Sequence, residues 1–314
     1  MNRYRGDDRA SPLPLILFAM EGRFEPSAAV EPPIEITAHQ PQDVALVLAS
    51  PHSGARYPEE FLAASRLDPL TLRRSEDSFV DEIFDPQAVA APLLKACFPR
   101  AYLDPNREPF ELDPVMFEDP LPPYVNSRSP RVRVGLGTIA RVVATGEEIY
   151  ARKLRFAEAV ERVERFYRPY HRALKQLVTA TRERFGFYVL LDCHSMPSSI
   201  AQGERGLPKT RADIVLGDCH GTSCHATVTE TAYQFLRAKG YQVARNTPYA
   251  GGFTTAHYGK PLAGAHALQI ELSRGLYMDE LRFDKKPFLV KLAADMRELV
   301  AALVAIDPAP LRPS

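Results

Sequence analysis

The chain has no tryptophan and only four cysteines among its 314 residues. Any pocket it builds therefore has no indole wall. Cys97, Cys193, Cys219 and Cys224 read as ordinary reduced thiols of a cytoplasmic enzyme. Cys219 and Cys224 stand at Cys-x4-Cys beside His220 and His225, but that spacing lies outside the usual close zinc-ligand pairs and no second pair completes a structural site. Neither sign of charge is in excess, with 39 basic and 39 acidic residues, so no electrostatic footprint for nucleic acid or an anionic membrane is present. No long apolar run exists either. Leu13 to Met20, interrupted by Pro14, falls far short of the roughly 20 residues that cross a bilayer. Ser27-Ala28-Ala29 is at most a faint cleavage-like site, so a cytoplasmic protein is expected. There is no internal repeat, no G-x-G-x-x-G and no Walker-type phosphate loop.

What is there is ordinary globular material, 45% hydrophobic and 25% charged. Residues 1–40 are rich in proline, charge and small side chains and read as a poorly ordered or surface-wrapping arm; 41–308 reads as a single α/β domain. Strands are predicted over 43–50, 97–103, 187–191, 213–216, 241–245 and 267–272. Helices are predicted over 58–64, 77–84, 146–184 with a break near Pro169, 227–238 and 286–305. The alternation argues a sheet covered by helices on both faces. The proline-dense stretch 108–131 is expected to be irregular, and a loop that long usually has work to do.

Two apolar runs each lead to a histidine. Asp43–Ser50 runs into Pro51-His52-Ser53-Gly54, and Phe187–Leu191 into Asp192-Cys193-His194-Ser195. Ligands in α/β sheets sit beyond the carboxyl ends of such strands, so two imidazoles there can share one crevice. Each alone reads equally as a hydrogen-bonded structural histidine. Together with the acids of Ser75-Glu76-Asp77-Ser78-Phe79-Val80-Asp81-Glu82 they suit a His/carboxylate/His metal site with an open position. Glu271, inside the apolar run Ala267–Leu272, is costly there unless paired or functional. Its two readings are a general base beside a metal and a salt bridge with Arg274. Arg107 and Arg141 are candidate partners for a substrate carboxylate, or ordinary surface arginines. The loop Pro248–Phe253, followed by His257-Tyr258-Gly259, either borders a pocket or is simply a turn.

Taken in order, Ser50-Pro51-His52-Ser53-Gly54, Asp77-x3-Asp81, Asn106-Arg107, Tyr170-His171, Asp192-Cys193-His194-Ser195, Asp213-Ile-Val-Leu-Gly217, Asn246-Thr-Pro-Tyr249-x-Gly251-Gly252, His257-Tyr258-Gly259 and Gln269-Ile-Glu271-Leu-x-Arg274-x-x-Tyr277 resemble N-formylglutamate amidohydrolases. The resemblance covers about 45–300. It implies a phosphorylase/hydrolase-like α/β fold with a mixed central sheet, related to zinc carboxypeptidases and aspartoacylases. It also implies one catalytic zinc and hydrolysis of a formyl or acyl amide on an amino acid, giving formate and, for example, glutamate. Carried over, His52, His194 and a carboxylate, Asp77 in preference to Asp81, hold zinc. Glu271 takes a proton from water and returns it to the leaving amine. Arg141 is placed with the catalytic residues as an aid to the oxyanion. Arg107, Arg141, Asn106, Tyr249, Gly252 and His257 bind substrate. The implied partner is a small N-acyl amino acid, with no nucleic acid and no membrane. Where the resemblance leads one to expect a tryptophan or histidine after the first aspartate, this chain has Asp77-Ser78. The rival readings are another metal-dependent deacylase or carboxypeptidase-like enzyme, a silent binding protein of the same fold, and a cysteine hydrolase built on Cys193.

Overall fold

The computed structural model describes residues 24–28, 30–38, 41–85, 91–201 and 212–313. Its strands are β1 Glu25–Ser27, β2 Ile34–Thr37, β3 Leu46–Ser50, β4 Arg56–Pro58, β5 Leu93–Ala96, β6 Tyr188–Met196, β7 Ile214–Gly217, β8 Val243–Arg245 and β9 Ala265–Ser273. Seven of them form one mixed sheet in the order β2-β5-β3-β6-β9-β7-β8, while β1 pairs with β4 alone. The centre, β5-β3-β6-β9, is parallel, and β2 and β7 join antiparallel. Every residue of β3, β6 and β9 is buried, as expected of strands covered on both faces.

Helices cover both faces, as the alternation predicts. On one side Leu174 and Val178 of the helix Arg168–Phe185 pack with Val47, Ala49, Leu190 and Ala267. On the other, Val228 and Leu236 of Ala226–Ala238 and Leu292, Met296 and Leu299 of Phe288–Val304 pack with Leu48, Leu191, Cys193 and Ile270. Leu299 is fully buried there. Leu299→Ala should cost about 2–5 kcal/mol, because the vacated volume adds to the lost transfer energy. Urea unfolding checks this; an unchanged midpoint would mean the two helices are not packed as described.

Three predicted elements come out differently. The run expected as a strand at 97–103 is a turn, and the strand lies just before it as β5. Pro99 has no N–H for a ladder, and its carbonyl instead accepts from Tyr102 N at 3.0 Å. The helix expected over 77–84 is cut to Val80–Ile83, because Phe79 takes a left-handed conformation (φ 67°). The long helix begins at Phe156 and runs to Phe185 through a π-turn at Val163–Tyr167. The break expected at Pro169 therefore takes the form of a widened turn just ahead of it. In the segment expected to be an arm, residues 1–23 lie outside the described residues, whereas Ile34–Thr37 is the edge strand β2. Among the described residues no helix is long and apolar enough to cross a membrane.

Candidate active site

Sheet register assembles the site. Asp192 pairs with Gln269 and His194 with Glu271 across β6 and β9. Side chains alternate along a strand, so these four polar residues share one face while Cys193 and Ile270 point into the opposite core. Both runs stop reading as apolar where these side chains begin, yet the ladder continues, so His194 lies inside β6 and not beyond its end. His52 follows β3, the neighbour of β6. Asp77 is drawn to it by a backbone bond from Asp77 N to His52 O, 3.0 Å.

Three ligand-type atoms converge there. His52 Nδ1, His194 Nδ1 and Asp77 Oδ2 lie 3.1 to 3.2 Å from one another. Ligands about 2.0–2.2 Å from a tetrahedral zinc are separated by roughly 3.3–3.5 Å, so this triangle fits such an ion. Among the described residues it is the one group of three His, Cys, Asp or Glu side chains so placed. The outer nitrogens meet carboxylates: His52 Nε2 is 2.7 Å from Asp104 Oδ1, and His194 Nε2 is 2.8 Å from Asp192 Oδ1. With each Nε2 proton on the carboxylate side, both Nδ1 lone pairs would face inward, as in metal sites where a carboxylate orients each histidine. Three such atoms at this distance repel unless a proton or a metal ion lies between them. The carboxylates show the same demand for positive charge. Burial alone would raise Asp77, but His194, His52 and Arg274 reverse this and hold it well below the usual range. Burial would lower His194, but Asp192 and Asp77 hold it well above the ordinary imidazole range.

Around the triangle, the turn Asp104-Pro105-Asn106-Arg107 acts as a hub. Asp104 accepts from His52, from Asn106 N at 2.8 Å and from Arg100 Nη2 at 2.8 Å. Asn106 Oδ1 accepts from Thr254 N at 2.8 Å, and its Nδ2 is 3.2 Å from His194 Nε2. A Cβ at Gly252 would overlap that Asn106 amide, so only glycine fits. Arg274 Nη2 donates to Asp77 Oδ1 at 2.9 Å and its Nε to Ser195 Oγ at 3.1 Å.

A cavity of about 170 Å³ opens over these residues, lined by His52, His194, Glu271 and Tyr249 with Arg100, Arg107, Arg131 and Arg274. Glu271 is buried at the cavity wall and accepts from Gln269 Nε2 at 2.8 Å. Burial pushes its pKa up to about 8 against the pull of His194. Burial likewise raises Tyr249 to about 12, keeping it a neutral phenol.

Of the residues singled out in the sequence, His52, Asp77, His194, Glu271, Asn106, Arg107, Tyr249 and Gly252 meet here. Arg141 and His257 do not. Arg141 is held away by Asp113 and Glu148, at 2.9 and 3.1 Å. His257 stacks on Phe253 and faces a different groove. Asp81 lies near Lys95, not in the triangle. Arg274 contacts Asp77 and Ser195, so the Glu271–Arg274 salt bridge is not formed. Cys193 lies on the core face with its thiol pushed well above its usual pKa, which leaves no thiolate for a cysteine hydrolase. The sequence reading missed Arg100, Asp104 and Arg131. Asp192, two residues before His194 on the same strand face, carried a signal in its period-two spacing.

Comparison with known proteins gives a consistent result. The N-formylglutamate amidohydrolase family model matches residues 44–278. An N-formylglutamate deformylase of Pseudomonas putida is 28% identical over 240 residues, covering 75% of this chain and 82% of that protein. One from Pseudomonas aeruginosa is 27% identical over 277 residues, covering 86% and 93%. The crystal structure of an N-formylglutamate amidohydrolase from Ralstonia eutropha JMP134 is similar at 37% identity and a TM-score of 0.81, covering 87% of this chain and 98% of that one. A protein from Agrobacterium tumefaciens, 18% identical with a TM-score of 0.60, shares the fold. With most of its length matched and the parallel strands placing their polar residues in one cavity, this chain belongs to the N-formylglutamate amidohydrolase family.

Proposed function

We propose that the protein hydrolyses the formyl amide of N-formylglutamate, releasing formate and glutamate, with zinc held by His52, Asp77 and His194. The observation that carries this is the triangle of inward-facing acceptors beside a buried carboxylate in a cavity lined by arginines. The named activity of the relatives supports the substrate. When bound, zinc supplies Lewis acidity toward a carbonyl and water.

The chain's own residues do the rest. Glu271, made basic by burial, accepts the proton of the attacking water and delivers it to the departing amine. Asp104 and Asp192 hold the two imidazoles in the tautomer that keeps each Nδ1 free. Arg274 and Ser195 hold Asp77 Oδ1, leaving Oδ2 to the metal. Tyr249 offers a neutral O–H donor to the cavity.

Substrate carboxylates are read by arginines, and the geometry favours Arg131. Arg107 is already engaged by Leu136 O at 2.9 Å and Asn106 O at 2.8 Å, and Arg100 by Asp104. Arg131 lines the cavity and has no ion-pair partner among the described residues. A charge-assisted hydrogen bond is worth about 1.5–3 kcal/mol. Arg131→Gln should therefore raise KM for N-formylglutamate about 10- to 100-fold with a smaller change in kcat, and should lose discrimination against the carboxamide analogue. Arg141→Gln should change neither. The opposite pattern would return the carboxylate to Arg141.

The whole reading is tested by metal analysis of the purified protein together with a panel of N-formyl, N-acetyl and peptidyl amino acids. The expected result is one zinc per chain, loss of activity on chelation, recovery with zinc, and preference for N-formylglutamate. Full activity in metal-free protein would overturn it.

A further inference from the structure

A second cavity shares no lining residue with the first. It is a broad groove of about 710 Å³ between the last turns of the helix Arg168–Phe185 and the segment from His257 to Ala265. Lys175, Arg182, Lys260 and His257 line it, against one carboxylate, Glu183. Several exposed cations near this helix are paired within the chain. Arg168 meets Glu164 at 2.6 Å, Arg165 meets Glu161 at 3.1 Å and Arg184 meets Asp43 at 3.6 Å. Among the described residues, Lys175, Arg182 and Lys260 have no ion-pair partner. They are also close enough to feel one another's surroundings. After burial, the Lys260 and Lys175 ammonium groups are what hold the His257 imidazole below its usual range. Several unpaired like charges on one concave surface repel, and a multivalent anion relieves that repulsion.

The groove also touches the element that frames the active cavity. His257 and Tyr258 end the short helix Phe253–Tyr258, whose N-cap is Gly252. From its other end Thr254 N donates to Asn106, beside His194, and Thr255 Oγ1 donates to Asp192 Oδ2 at 3.1 Å. Tyr258 Oη is 3.0 Å from His171 Nδ1, and His171 Nε2 is 2.8 Å from Pro105 O in the hub turn.

We propose that the Lys175–Arg182–Lys260 groove is a second binding site, for a small multivalent anion of phosphate or carboxylate type, whose occupancy tightens the helix Phe253–Tyr258. The test uses calorimetry on the full chain with two probes, inorganic phosphate and succinate. Wild type is compared with Lys175→Gln/Lys260→Gln, both exposed surface changes, and with Arg131→Gln in the active cavity. At least one probe should bind the wild type at a site that is weakened tenfold or more in the double variant and kept in Arg131→Gln. Which probe binds tighter names the anion class. Amide exchange over residues 253–258 should slow when that probe is bound to the wild type and not when it is added to the double variant. Neither measurement depends on turnover, so failure here is separable from failure of the deformylase reading. Binding that survives Lys175→Gln/Lys260→Gln, absence of binding by both probes, or unchanged exchange with anion bound overturns the proposal.

Discussion

Glu271→Gln should lower kcat by about 10²–10⁴ while zinc content stays at the wild-type level. The substitution keeps side-chain shape, and its amide oxygen still accepts the bond from Gln269 Nε2 that fixes the native carboxylate. What it removes is the ability to take a proton. Glu271 sits opposite His194 in the sheet register, so an unchanged metal content separates lost chemistry from a collapsed site. Burial pushes the Glu271 pKa up to about 8, and a cation held in the triangle would draw it back down. The acid limb of the wild-type kcat/KM profile should therefore lie above the roughly 4.3 of an ordinary glutamate and disappear in the variant. Turnover at the wild-type rate with zinc bound would leave Glu271 a structural group.

Which parts of this site the sequence reveals follows from how the residues are spaced. His52, His194 and Glu271 stand out because each is polar within or just beyond a buried apolar run, where such a residue is expensive without a role. Period-two alternation then fixes which neighbours share their face, and that includes Asp192 and Gln269. Arg100, Asp104 and Arg131 carry no such mark. Arg100 and Asp104 lie in turns and Arg131 in the one-turn helix Pro130–Arg133, all too short to show a period, and only the folded path of the chain brings them together at the cavity. Arg141 shows the converse. Its context looks like a site in sequence, but Asp113 lies 28 residues away along the chain and takes its guanidinium. The acidic run alone does not separate Asp77 from Asp81, and only the family resemblance prefers Asp77; the left-handed turn at Phe79 places Asp77 against His52 and turns the short helix carrying Asp81 toward Lys95.

His52→Ala should abolish zinc binding and with it the activity. A site with three protein ligands cannot lose one and keep its ion under mild chelation, because the two remaining atoms, His194 Nδ1 and Asp77 Oδ2, no longer enclose it. The fold should survive. Asp104, the carboxylate that His52 leaves behind, still accepts from Arg100 and from Asn106 N and is not stranded in the interior. A graded companion, Asp104→Asn, distinguishes a metal centre from a hydrogen-bonded histidine pair. Asparagine cannot supply the negative charge that makes His52 a better ligand, so zinc affinity should fall about 10- to 100-fold while the ligand set remains complete. Added zinc should then restore Asp104→Asn and leave His52→Ala inactive. Metal analysis after dialysis against a chelator, with circular dichroism to confirm folding, reads both. A folded His52→Ala protein that retained one zinc per chain would remove His52 from the ligand set. If Asp104→Asn matched wild type in zinc affinity, the carboxylate behind His52 would be structural only.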